Sequence, residues 1–142
     1  QDRYVINHTQ SHTSSSIILT IQASSTNRLE IESITVQCET NSCPVETLSN
    51  ATVGTSTAAT IAPLNSDTAP SGGPSFNAYV NTSITGGTSL SPAWTVPAVG
   101  LFPVPWLGTF LEKSASATRN INVRIGPFTG TSKTQIILRR YR

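Results

Sequence analysis

Few residues in this chain could do chemistry, and their spacing narrows what that chemistry could be. Cys38 and Cys43 are its only thiols, flanking the turn-forming residues 39–42. Three states are open to such a pair. It could form a disulfide, if the turn brings the Cβ atoms within about 4 Å. It could stay as two reduced, partly buried thiols, or join His8 and His12 as a four-ligand zinc set. The His pair sits in a Ser/Thr-rich N-terminal stretch at a loose spacing from the thiols. A bridge is therefore the expectation, and no metal site is expected.

Glu30 and Glu32 stand two apart, so on one strand they share a face about 7 Å apart. Paired carboxylates at such a separation can hydrolyse glycosidic bonds. The same spacing describes an ordinary solvated strand face, which is the expected reading here. The chain holds seven acids and two His, with no G-x-S-x-G elbow, H-E-x-x-H pair or phosphate-binding loop. The chain is read as a non-enzyme with no catalytic residue and no cofactor.

Arg139, Arg140 and Arg142 cluster around Tyr141 at the C-terminus. An aromatic between arginines could stack on single-stranded nucleic acid, but no basic groove or aromatic platform accompanies it. A solubilising tail or an anchor onto an acidic protein is the expectation, and no nucleic acid partner is. Asn7, Asn50 and Asn81 head formal glycosylation triplets, which arise readily by chance in a chain with 40 Ser or Thr.

The elements that must position these residues are strands. Residues 17–22 alternate, and the turn at 24–27 follows. In 28–38, Leu29 and Ile31 share one face while Ile34, Val36 and Cys38 continue on the opposite parity. One extra residue at Glu32 or Ser33, a β-bulge, restores the core face. A short strand at 43–48 is expected to return as a hairpin. Residues 76–84 alternate until Gly86 and Gly87. Ile121, Val123 and Ile125 against Asn120, Asn122 and Arg124 give the cleanest alternation, stopped by Gly126 and Pro127. Residues 134–141 form the last strand, apolar on both faces at 136–138, as in a central or capped strand. Residues 109–112 match a capping box without an apolar stripe behind it, so a strand or a single turn is expected.

Short strands separated by Gly and Pro turns predict an all-β fold, an antiparallel β-sandwich of Greek-key or jelly-roll type with long Pro/Gly/Ser-rich loops. With 142 residues, one domain over 1–142 is expected. Charged residues make up 11% and the net charge is +2, which gives little reason for polyanion binding. No run of 18 apolar residues exists, so no membrane span is expected. Gln1 and the absence of Met fit either a removed secretory leader or a shortened sequence.

Two segments resist the strand reading. Residues 59–74 are Pro/Gly/Ser/Thr-rich and long for a loop, as partner-contacting excursions often are. Residues 99–107 are strongly apolar yet interrupted by Pro103 and Pro105, which cannot donate to a central ladder. Such a segment either covers the core or meets another chain. Leu101, Phe102, Val104, Trp106, Leu107, Pro63 and Leu64 are the expected partner interface.

The order of features resembles small tailed-bacteriophage virion proteins of the capsid decoration, or cement, type. The likeness runs through residues 4–8, 17–21, 27–34 and 54–58, then through 60–65 into Ala69 and Pro70, with Trp94 and a Pro beyond. Asn65 stands where that pattern commonly has Asp, and the Cys38/Cys43 pair is not a usual feature of it. The resemblance implies a β-sandwich on the capsid surface of the virion, often a homotrimer, bound to the major capsid protein and bracing neighbouring coat subunits. Two other readings stay open. One is a secreted glycan-binding module using Trp94, Trp106 and Tyr79 as stacking platforms. The other is a subunit of an extracellular fibre or pilus joined by an extended N-terminal strand.

Overall fold

The computed structural model describes residues 2–64, 73–105 and 110–141, and among them there are strands, turns and irregular backbone but no helix. Two long strands organise the molecule. β1 (Asp2–Gln22) and β11 (Asn120–Tyr141) pair antiparallel along their whole length. Along its other side, β11 pairs first with β3 (Cys43–Val53) and then with β2 (Arg28–Glu39). Every strand pairing is antiparallel.

The smaller strands fill the flanks. One half of the sheet holds the start of β1, the end of β11 and β2. It is edged by β5 (Ala62–Pro63) on β1, and by β9 (Leu101–Pro103) and β10 (Phe110–Leu111) on β2. The other half holds the end of β1, the start of β11 and β3. There β6 (Asn77–Asn81) pairs with β1 and carries β4 (Ser56–Ala58), while β7 (Ile84–Ser89) and β8 (Trp94–Val96) pair with β3.

All three long paths bend at the same level. The register of β1 shifts around Ser15, β11 carries Gly126 and Gly130 there, and the β2–β3 corner spans residues 40–42. The bend folds the sheet onto itself. Tyr4 lies eighteen residues before Gln22, about 60 Å along an extended strand. Yet the Tyr4 ring packs 5.6 Å from that of Phe76, which directly precedes the partner of Gln22. Between the facing halves lies one core, with Ile6, Leu29, Ile31, Ile34, Ile136 and Leu138 from one half and Ile17, Leu19, Ile21, Val45, Val123 and Ile125 from the other.

Glycine is required where the paths cross. A Cβ on Gly130, at φ +150, would sit directly against the Glu39 carbonyl oxygen, and one on Gly126 would lie 2.6 Å from the Ser15 carbonyl oxygen. At the same level His12 is buried between its neighbours. One ring nitrogen contacts the Ser15 carbonyl at 3.0 Å, the other the Ser132 hydroxyl at 2.7 Å, and Phe128 packs on the ring.

The expected bulge is present. Ile137 pairs with Ser33 and Leu138 with Ile31, so Glu32 is the extra residue. Other expectations are corrected. Cys38 and Cys43 do not close a hairpin, because β2 and β3 pair with β11 and not with each other. Gly126 and Pro127 do not end a strand, since β11 runs through them by bending. Gly86 and Gly87 lie inside β7.

Candidate interaction surface

The outer face of the β1–β11–β2 half presents rows of side chains in register across three strands. Asn7, Gln135 and Thr35 form one row, and Thr9, Lys133 and Gln37 form the next. Charges at the two ends of this face are paired. Arg3 meets Glu32 at 2.9 Å, Arg139 meets Glu32 at 3.5 Å, and Lys133 meets Glu39 at 2.9 Å. Between them lies an open cleft of about 350 Å³ lined by Asn7, Thr9, Thr35, Gln37, Gln135 and Leu101. Its donors and acceptors are mostly hydroxyls and amides, with Lys133 and His8 also on its lining, a set that suits hydrogen bonding to another polar surface.

At the rim of the cleft two apolar side chains project. Leu101 pairs with Gln37 and is 74% exposed, and Val99 is 69% exposed. Val99 also holds φ +68, a conformation that is costly for a β-branched residue. Hydrogen bonds hold it there. The Val99 amide donates to the Cys38 carbonyl at 2.7 Å, and its carbonyl accepts from Gln37 Nε2 at 3.3 Å.

The expected interface residues divide. Phe102 turns inward and is partly buried against the core, and Val104 is buried within it. The reason is strand alternation, which sends neighbours of Leu101 to the opposite face. Pro63 and Leu64 are exposed, but on the β1 edge; the order β5-β1-β11-β2-β9 puts about 19 Å of sheet between them and Leu101. Trp106 and Leu107 lie outside the described residues.

Cys38 and Cys43 are joined as a disulfide, with Cα atoms 6.1 Å apart, and both are buried. The bridge staples the corner where the chain passes from one half to the other. With both sulfurs bonded, the set with His8 and His12 has no thiolate to offer. Among the described residues no three His, Cys, Asp or Glu gather as a metal site.

Glu30 and Glu32 are not a free carboxylate pair. Tyr141 donates to Glu30 at 2.7 Å, and Glu32 is shared by Arg3 and Arg139. The basic cluster is likewise no tail, because Arg139 and Arg140 belong to β11. The Tyr141 side chain, and then the Glu32 carboxylate, hold the Arg139 guanidinium above its ordinary pKa. Arg140 points inward and is 3% exposed; it donates to Asp2 at 2.6 Å, to the Gly73 carbonyl at 2.6 Å and to Ser75 at 3.1 Å. Arg142 lies outside the described residues.

A buried polar ladder gave no signal in the sequence. Asn81 donates to Thr20 at 2.6 Å, Thr20 to Asn122 at 2.7 Å, and Asn122 to Asn120 at 3.0 Å. Asn120 then pairs with both the amide and the carbonyl of Ala51. Asn81 is thus committed inside the protein, while Asn7 and Asn50 are exposed.

Of the aromatics expected to form a glycan platform, Trp94 is 38% exposed on β8 and Tyr79 is half-buried on β6. The order β6-β1-β11-β3-β8 separates those strands by about 19 Å, too far for one stacking platform. Trp106 is outside the described residues. No protein family, curated protein or solved structure compared with the chain matches it.

Proposed function

We propose that this protein is a structural component of an assembly, a capsid decoration protein that binds the outside of an icosahedral phage head and braces neighbouring coat subunits. The observation that carries this reading is the pair Val99 and Leu101. Two large apolar side chains, Val99 just before β9 and Leu101 at its start, are held outward next to the disulfide-stapled corner, beside a mostly hydroxyl and amide cleft. An apolar anchor with a polar rim is the anatomy of a protein–protein contact. Its partner in this reading is the major capsid protein, and its location is the surface of the virion.

The fold assignment that goes with this reading is a jelly-roll-type sandwich. It is supported by the way the β1–β11 ribbon and the β2–β3 path bend together through both halves. Co-sedimentation with undecorated heads tests the function. The protein should pellet with heads, and Leu101→Asp should abolish pelleting while leaving the thermal unfolding midpoint unchanged. Failure of the folded wild-type protein to bind heads would overturn the assignment.

A further inference from the structure

The edge of β1 is open where edges are usually guarded. Leu64 donates to the Arg3 carbonyl at 3.0 Å, so the backbone groups of Arg3 point away from β11. By strand alternation those of Val5, Asn7, Thr9 and Ser11 point the same way. β5 covers Arg3 to Val5 and β6 covers β1 from Ile18 onward; among the described residues no strand pairs with this edge between Ile6 and Ile17. Among the described residues the outward groups of Asn7, Thr9 and Ser11 are left, apart from one Gln10 amide at 3.3 Å from the Ser11 carbonyl.

Exposed edges template pairing with other chains, and monomeric proteins blunt them with charge, Pro or a bulge. Here no charged residue and no Pro occurs between Arg3 and Arg28, and the register of β1 is unbroken from Asp2 to His12. We propose that the β1 edge over residues 6–12 pairs antiparallel with the same edge of a second copy of this chain, about a two-fold axis at Thr9.

Self-pairing sets constraints that this segment meets. Around a two-fold axis Thr9 faces Thr9 and Asn7 faces Ser11, and any charge near the axis would face its like. The segment has none. Hydroxyls and amides directly opposite one another form favourable cross-strand pairs. Three residue pairs exchanging amide and carbonyl would add about six hydrogen bonds. The geometry also closes at both ends, since the partner's bend at 13–16 falls where β5 begins to cover the edge. The pairing yields a dimer with one continuous outer face, in place of the three-fold arrangement that the resemblance implies. It does not depend on docking to a head.

Sedimentation equilibrium from about 1 to 100 μM is the test, because self-association follows mass action. The wild-type protein should reach twice the chain mass. Thr9→Lys puts two ammonium groups across the axis and should return the mass to that of one chain, with the unfolding midpoint equal to that of the dilute, monomeric wild-type protein because Thr9 is exposed. Thr9→Cys should form an intermolecular disulfide under mild oxidation, which also serves if the Lys variant does not fold. A wild-type monomer across this range, a dimer indifferent to Thr9→Lys, or a Thr9→Cys protein that does not cross-link would each overturn the pairing. Head binding by the wild-type protein, measured below the concentration at which it dimerises, separates docking from dimerisation, so either proposal can fall alone.

Discussion

His12 Nε2 and the Ser132 hydroxyl lie 2.7 Å apart, joining β1 to β11 at the bend although 120 residues separate them in sequence. The ring is buried, so its loss leaves the Ser132 hydroxyl and the Ser15 carbonyl without a partner and opens a cavity beside Phe128. His12→Ala should cost about 2–4 kcal/mol in denaturant unfolding. A loss below about 0.5 kcal/mol, the range of ordinary surface changes, would mean that the bend does not rest on this contact.

Gly130 and Gly86 both have positive φ but differ in surroundings. A Cβ at Gly130 meets the Glu39 carbonyl, whereas one at Gly86 meets open space. Gly130→Ala should therefore destabilise by about 2 kcal/mol more than Gly86→Ala, both through this contact and because φ +150 strains an alanine more than φ +71 does. Equal losses in thermal unfolding would remove the close crossing of β11 and the β2–β3 corner from the account.

The Cys38–Cys43 bridge closes a short loop, for which the chain-entropy model gives about 2 kcal/mol. Reductant should lower the denaturant midpoint of the wild-type protein and leave Cys38→Ala/Cys43→Ala unaffected. Labelling of both thiols in protein never exposed to reductant would contradict the bridge.

The polar ladder makes an asparagine worth more than its apolar neighbour. Asn120→Ala leaves the buried amide and carbonyl of Ala51 unpaired and should cost about 3 kcal/mol. Ile121→Val in the adjacent core should cost about 1 kcal/mol. The reverse order in paired unfolding measurements would show that the ladder is replaceable by water.

Attachment to heads should survive salt raised from about 0.1 to 1 M, where the Debye length falls from roughly 10 to 3 Å. Leu101 and Val99 act through apolar area, and Arg139 and Arg140 are already engaged with Glu32 and Asp2. Release of bound protein at high salt would shift the anchor to charge.

Strand type and parity were legible in the residues themselves. The change of parity between Ile31 and Ile34 narrowed the bulge to Glu32 or Ser33, because side chains alternate strictly along a strand and one extra residue is the local way to restore the core face, and the register with β11 assigns it to Glu32. The turn residues between Cys38 and Cys43 made a bridge the expectation, although the hairpin expected with it is absent. What each strand pairs with was decided only by the tertiary fold. Asn120 and Asn122 alternate with apolar residues as a solvent face would, yet both are fully buried. Asn120 is occupied by the backbone of Ala51, some seventy residues earlier, and Asn122 by Thr20, a hundred residues earlier. Local periodicity reports that a face is polar, but only long-range packing determines whether water or another segment satisfies it. The same holds for Gly126 and for the β2–β3 corner, where a turn signal marks a change of direction and the pairing partners decide whether the chain returns as a hairpin or bends onward into the second half.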